Sequence, residues 1–263
     1  MKKIILQGIP YDEKSSYLKG TSLAPPIIRD KFWSTSSNTF SESHIDIGKY
    51  INDTGDKIIN DYFEIKKITS KHLATNNKIL SLGGDHSITY PIIQAYSEFY
   101  DSFDILQIDA HPDLYEELDN DRYSHACPFA RIMDEKLIGK LFQVGVRTWT
   151  SHQVEQARKY KIEIREMKNL SLRDVAELKN DLYISLDLDA FDPAFAPGVS
   201  HHEPGGLTSR QVINIFQSIK TRIIGADIVE YNPHMDIQGI TATLAAKMMK
   251  EILSLMVINN RIT

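Results

Sequence analysis

Short apolar, β-rich stretches alternate with longer helix-like segments along almost the whole chain, and this alternation most constrains the fold. Ile4–Gln7, Lys78–Leu82, Phe103–Ile108, Leu141–Gly145, Ile162–Arg165, Leu182–Leu188 and Ile223–Val229 read as strands. Between them, Pro25-Pro26 opens a helix through about Phe32, since proline is tolerated in a first turn. Lys57–Lys71, Ser87–Tyr100 and Ser151–Tyr160 suit helices. Thr208 with Gln211 reads as a capping box for a helix through Ile219, and Thr241 to about Ile258 forms the closing helix. Ser36–Ser43 is polar and reads as loop. Repeated β-α units of this kind predict an α/β fold: three layers, α/β/α, around a central, mainly parallel sheet. No internal repeat, low-complexity linker or boundary divides the 263 residues, so residues 1–263 are expected to form one domain.

In such sheets ligands bind outside the carboxyl ends of the strands. Three short runs place reactive side chains there. His86 lies in Gly83-Gly84-Asp85-His86-Ser87; Asp109, His111 and Asp113 alternate in Asp109-Ala110-His111-Pro112-Asp113; Asp187 and Asp189 alternate in Asp187-Leu188-Asp189. Alternate residues on an extended segment can point the same way. Four ionised carboxylates gathered on one rim would repel until some took up protons, unless cations neutralised them. Carboxylate with imidazole and no thiolate suits two Mn²⁺ ions or a similar hard metal, and a structural zinc site would usually use cysteine. A nucleotide reading of Gly83-Gly84 lacks the further glycines or lysine that such loops carry. A metal pair would activate water, since metal binding lowers its pKa to about 7.

Composition excludes other classes. Net charge is −5, against nonspecific nucleic-acid binding. No apolar run approaches the roughly 20 residues that span a bilayer, and the apolar run after Met1-Lys2-Lys3 is too short for a signal-peptide core. Cys127 is the only cysteine, which excludes a disulfide framework and points to a reducing, cytoplasmic setting.

The three runs, in this order, resemble the ureohydrolase family of arginases and agmatinases. The resemblance extends over nearly the whole chain. It includes Gly8-Ile9-Pro10-Tyr11-Asp12, Ser124-His125-Ala126, Asp192-Pro193, Glu203-Pro204-Gly205-Gly206-Leu207 and Val229-Glu230-Tyr231-Asn232-Pro233. Asp109 through Tyr115, Phe129 through Met133 and Pro197 through Gly206 are phrased most like plant-type, agmatinase-like arginases. The Asn-x-His-Gly loop of animal arginases is absent, so recognition of the substrate's amino-acid end is expected to differ from that branch.

The resemblance implies an arginase-like fold and assigns roles. One ion takes His86, Asp109, Asp113 and Asp187; the other takes Asp109, His111, Asp187 and Asp189, with Asp109 and Asp187 bridging. Glu230 grips the guanidinium, whose planar fork a carboxylate matches. His125 shuttles the proton. From the residues themselves, His201 in its Gly/Pro-rich loop is expected to line the substrate pocket or support that loop, and Ser200, His201 and Arg122 are candidate donors to a substrate carboxylate. The acids Glu116, Glu117, Asp119 and Asp121 would suit a substrate amino group, or form a solvated loop. The implied reaction is hydrolysis of L-arginine to L-ornithine and urea, with agmatine or another small guanidino compound as alternative. The implied assembly is a homotrimer or homohexamer. Two rivals remain. A deacetylase-type zinc amidohydrolase would need one metal, and Asp113, Asp189 and Glu230 weigh against it. A non-catalytic regulatory homologue would be expected to lack ligands, and none of the six is missing.

Overall fold

The computed structural model describes residues 3–170 and 178–259. Among these, eight strands form one sheet: β1 (Ile4–Gly8), β2 (Ile51–Asp56), β3 (Ile79–Leu82), β4 (Asp104–Ile108), β5 (Leu141–Val144), β6 (Glu163–Arg165), β7 (Leu182–Asp187) and β8 (Ile223–Val229). Their order is β2-β1-β3-β8-β7-β4-β5-β6, and every neighbouring pair is parallel. The central strands are apolar in continuous runs because both faces of a parallel sheet are covered.

Alternate side chains divide the core in two. Leu6, Leu80, Leu106 and Ile184 pack on one face with helices α1 (Ala24–Phe32), α6 (Ser209–Ser218) and α7 (Ile240–Ile258). Ile5, Ile79, Ile105 and Tyr183 pack on the other with α2 (Glu64–Leu73), α3 (Thr89–Tyr96), α4 (Pro128–Asp134) and α5 (Ser151–Tyr160). The three-layer α/β/α architecture expected from the alternation is therefore present. So is the Thr208–Gln211 capping box that starts α6.

Several elements differ from the sequence reading. β2 was not expected. Ile-Asn-Asp-Thr-Gly-Asp has weak β propensity, and it becomes an edge strand only by pairing with β1. The helix expected from Lys57 begins at Glu64, because the Lys57 amide donates to the Gly8 carbonyl and prolongs the sheet edge instead. The helix expected over Ser87–Tyr100 is a 3-10 turn at His86–Ile88 followed by α3, which ends at Tyr96. α4 spans seven residues, too few to show an apolar period.

The strand order positions the site. β3, β8, β7 and β4 are adjacent at the centre of the sheet, and His86, Glu230, Asp187 and Asp109 stand at or just past their carboxyl ends. Side chains far apart in sequence thereby meet on one rim.

Candidate metal centre and substrate pocket

The spacing of two in each acidic run has a local cause. A carboxylate placed at a strand end accepts the backbone N–H two residues on, closing an Asx turn. Asp109 Oδ1 accepts from the His111 amide at 2.6 Å, and Asp187 Oδ1 from the Asp189 amide at 2.7 Å. Each turn brings the second ligand beside the first. The Asp189 carboxylate then accepts from the Ala110 amide at 3.2 Å, tying the two turns together.

Two sets of ligand atoms result, each gathered within 4.8 Å: His86, Asp109 and Asp113, and Asp109, His111 and Asp189. His86 Nδ1 stands 3.2 Å from Asp109 Oδ2, 3.0 Å from Asp113 Oδ2 and 3.1 Å from Asp187 Oδ2. That buried nitrogen nonetheless makes no aligned hydrogen bond to any of them. His111 Nδ1 lies 2.9 Å from Asp189 Oδ2 and 3.6 Å from Asp109 Oδ1. Asp109 thus turns one oxygen to each imidazole.

The other ring nitrogen of His86 is also fixed. Nε2 pairs with Ser185 Oγ at 2.9 Å, and Ser185 donates in turn to Asp227 Oδ1 at 2.6 Å. Asp227 accepts further bonds from Thr89 and Tyr183. This chain fixes Nε2 and turns Nδ1 to the carboxylates; burial opposes charge on the ring, but Asp109, Asp113 and Asp187 outweigh it and raise the His86 pKa well above its ordinary value. Burial, with Asp189 and Asp109 alongside, pushes the Asp187 carboxyl well above its ordinary range. Burial and Asp109 lift Asp113 to about 6. A buried imidazole nitrogen without an aligned partner among crowded acids is a donor set that fits divalent cations, which would displace the bound protons.

Glu230 stands beside this cluster in the left-handed region, with φ 64°, as does Asp113 with φ 50°. Such backbone is strained for a non-glycine residue. Glu230 Oε1 accepts from the His86 amide at 2.9 Å and pairs with His125 Nδ1 at 2.9 Å. Its Oε2 is buried and has no hydrogen-bond partner among the described residues. Burial opposes charge on His125, but Glu230, aided by Asp85 and Asp113, outweighs it and raises the imidazole pKa to about 9. For Glu230 burial favours the neutral acid, and His125 outweighs it, so the carboxyl lies below its usual range.

His125 Nε2 meets Ser16 Oγ at 2.8 Å. Ser16 belongs to a strap laid over the rim. The Lys14 amide donates to Asp85 Oδ2, the His125 amide to the Lys14 carbonyl, and Ser200 Oγ to the Leu18 carbonyl. Gly84 allows this approach: a Cβ there would lie 1.9 Å from the Tyr11 carbonyl oxygen.

A cavity of about 220 Å³ opens onto the cluster. His111, Asp113, Asp187, Asp189, His125, Glu230 and His201 line it, together with Ser16 and residues 148–150 and 153. The His201 ring centroid is 5.2 Å from that of His125 and 6.1 Å from that of His111. Ser200 is not part of the lining; its buried hydroxyl is occupied by Leu18 and by Asn232 Nδ2. Arg122 is exposed over the Tyr123 ring. Of the acids after the second run, Glu116 pairs with Lys159 and Asp121 with Lys14, while Glu117 and Asp119 are exposed; none lines the cavity.

Sequence reasoning did not single out Ser16, the Ser185–Asp227 pair or Arg147. The Arg147 guanidinium donates to the carbonyls of Asp189, Ala190 and Glu203, clamping the Asp189 turn to the loop that carries His201. Ser185 and Asp227 did leave a signal: each is a polar residue inside an otherwise apolar strand. Ser16 and Arg147 left none.

A model of the arginase family matches residues 2–254. The mitochondrial arginase of Medicago truncatula is 42% identical over 94% of this chain and 80% of its own length. Its kind is represented structurally as well: an arginase from Medicago truncatula superimposes with a TM-score of 0.92 at 39% identity, covering 97% of this chain and 87% of that one. Arginase 1, mitochondrial, of Arabidopsis thaliana is 40% identical over 94% of this chain and 79% of its own length. An N(1)-aminopropylagmatine ureohydrolase of Thermus thermophilus is 32% identical over 88% of this chain and 83% of its own length.

These relatives correct the expected cytoplasmic location, since both plant arginases are named mitochondrial. A lone cysteine reports a reducing milieu, and more than one compartment provides that. Among the described residues, no helix is long and apolar enough to cross a membrane.

Proposed function

The chain belongs to the arginase family, and from that premise we propose that it hydrolyses L-arginine to L-ornithine and urea with two Mn²⁺ ions. One observation carries the reading. Glu230 Oε2 is a buried, unpartnered carboxylate oxygen on a cavity that also contains the ligand cluster. A planar cation held there is paired with charge, satisfies the orphan acceptor and lies next to the metal ligands.

His86, Asp109, Asp113 and Asp187 would hold one ion, and Asp109, His111, Asp187 and Asp189 the other. When bound, the ions supply water activation near neutral pH. The protein's own groups do the rest. Glu230 binds the guanidinium and orients its carbon. The departing nitrogen leaves well only after gaining a proton, and His125, held protonated by Glu230, carries one at the cavity wall. His201 borders the same wall, and Ser200 braces the loop that presents it.

Agmatine is the second reading, favoured by the similarity to the aminopropylagmatine ureohydrolase. The test is urea release from L-arginine, agmatine and 4-guanidinobutyrate by the Mn²⁺-loaded protein. Arginine is expected to have the highest kcat/KM. A clear preference for agmatine overturns the arginine assignment, and no urea from any of them overturns the hydrolase reading. Glu230→Gln is expected to lower kcat/KM on the order of 100-fold, as for one lost partner of a buried charge pair.

A further inference from the structure

Arg147 stands where three parts of the site come together. It lies just past β5, and its own amide donates to the Ala110 carbonyl at 3.0 Å, in the middle of the Asp109–His111 turn. The Ala110 amide is tied to the Asp189 carboxylate. The guanidinium reaches beyond that turn. Nη2 donates to the Asp189 carbonyl at 2.7 Å and to the Glu203 carbonyl at 2.6 Å. Nη1 donates to the Ala190 carbonyl at 3.1 Å, and Nε to Glu203 at 2.9 Å.

Every acceptor of this side chain is a backbone carbonyl. Arg147 therefore fixes the course of two loops rather than the charge of an acid. A rigid planar fork of N–H donors serves both loops at once, which the compact ammonium of lysine does not match. The fit is close: a Cβ on Gly206 would lie 2.7 Å from Nη2.

The loop that carries His201 has other ties at both ends. Before it, the Asn232 amide donates to the Gly198 carbonyl, and Val199 pairs with Tyr231. After it, the Gly205 and Gly206 amides donate to Asp192 Oδ2, and Leu207 pairs with Phe191. Those ends hold without Arg147. The bonds to Glu203 draw the stretch between them, and with it His201, onto the Asp189 turn.

We infer that Arg147 is a positioning residue for both halves of the site: it sets how tightly Asp109, His111 and Asp189 hold their ion, and where His201 stands on the pocket wall. The inference rests on the reading of the cluster as a two-ion centre and names the residue that joins it to the pocket. None of the guanidinium's bonds goes to His86 or Asp113, so the effect on metal is confined to one ion.

Arg147→Met keeps the apolar stem and removes the fork. Outer-shell losses of this kind weaken metal binding on the order of 10–100-fold. The full-length protein is dialysed at the lowest free Mn²⁺ that gives the unsubstituted chain about two ions. Elemental analysis of Arg147→Met is then expected to give about one. Arg147→Met/His111→Ala is also expected to keep about one, because both changes empty the same half. A residue that merely held the fold together would weaken both ions, and the double variant would keep none. In the metal-free protein, ring-proton Overhauser contacts between His201 and His125 are expected, and they are expected to be lost in Arg147→Met. Arg147→Lys, which keeps the charge without the fork, is expected to behave in the same way and decides the matter if the methionine variant does not fold. Two ions on the single variant, none on the double variant, or an unchanged His201–His125 contact overturns the inference alone. Fewer than two ions on the unsubstituted protein at any Mn²⁺ level overturns the two-ion reading, and the inference falls with it.

Discussion

Glu230 concentrates several demands on one side chain. Its backbone is left-handed, one carboxylate oxygen is shared between the His86 amide and His125, and the other is buried with nothing to accept from. The ion pair with His125 makes a prediction whose sign is definite. The folded pKa of His125, about 9, lies above its ordinary 6.5. The pair's stabilisation is therefore complete below pH 6.5 and is lost as pH rises through about 9. In the metal-free protein, ring-carbon NMR should show His125 titrating near 9. In Glu230→Gln it should titrate nearer to, or below, 6.5, because burial is then less opposed. Titration of the original protein at 6.5 or lower would mean the pair is not formed. The residues of the His/Asp cluster were legible in sequence because carboxylates and imidazoles at strand ends carry their chemistry with them. Ser16 was not: a serine acquires a role only from the neighbour that folding supplies, here His125. Ser200 illustrates the converse, a hydroxyl in a suggestive loop that folding engages with Leu18 and Asn232.

Among the elements, the sheet was readable wherever burial on both faces imposed an apolar run, as in β3, β4, β7 and β8. It was unreadable at the β2 edge, where pairing with β1 outweighs poor local propensity. Helix starts followed the same division. The Thr208–Gln211 box announced α6, whereas α4 is too short for a period to emerge. The strap over residues 9–20 had no local signature except the glycine opposite it. Gly84 and Gly205 form a matched test of that close approach. At Gly205, φ is +88° with open space around a Cβ, so alanine meets only the left-handed penalty, about 1 kcal/mol. At Gly84 the φ is unrestrictive, but a Cβ collides with the Tyr11 carbonyl. Backbone cannot swing aside as a side-chain tip can. Gly84→Ala should therefore cost at least about 2–3 kcal/mol and loosen the Ser16–His125 contact. Urea denaturation of the two variants measures the difference. Equal losses would mean that the strap adapts and the glycine is dispensable.

For the whole molecule, the decisive feature is that four adjacent strands end around one small volume, one bringing the His86 imidazole and three bringing carboxylates. Such a rim works against folding unless cations occupy it, because buried like charges repel and Asp187 and Asp113 are driven toward protonation. Metal and stability should then be linked. A ligand that binds only the folded state contributes about 2.7 kcal/mol at a free concentration of 100 Kd. For a chain of this size that is roughly 5–10 °C in Tm per site. Chelation should lower Tm, and Mn²⁺ should restore it. The geometry also predicts how occupancy responds to single changes. His111 faces only the Asp189 side of the cluster, and Asp109 turns one oxygen to each imidazole. Elemental analysis should give about two ions per chain for the unsubstituted protein, about one for His111→Ala and close to none for Asp109→Ala. If Asp109→Ala retained one tightly held ion, Asp109 would not be shared. The two halves of the rim would then be independent sites that happen to be neighbours.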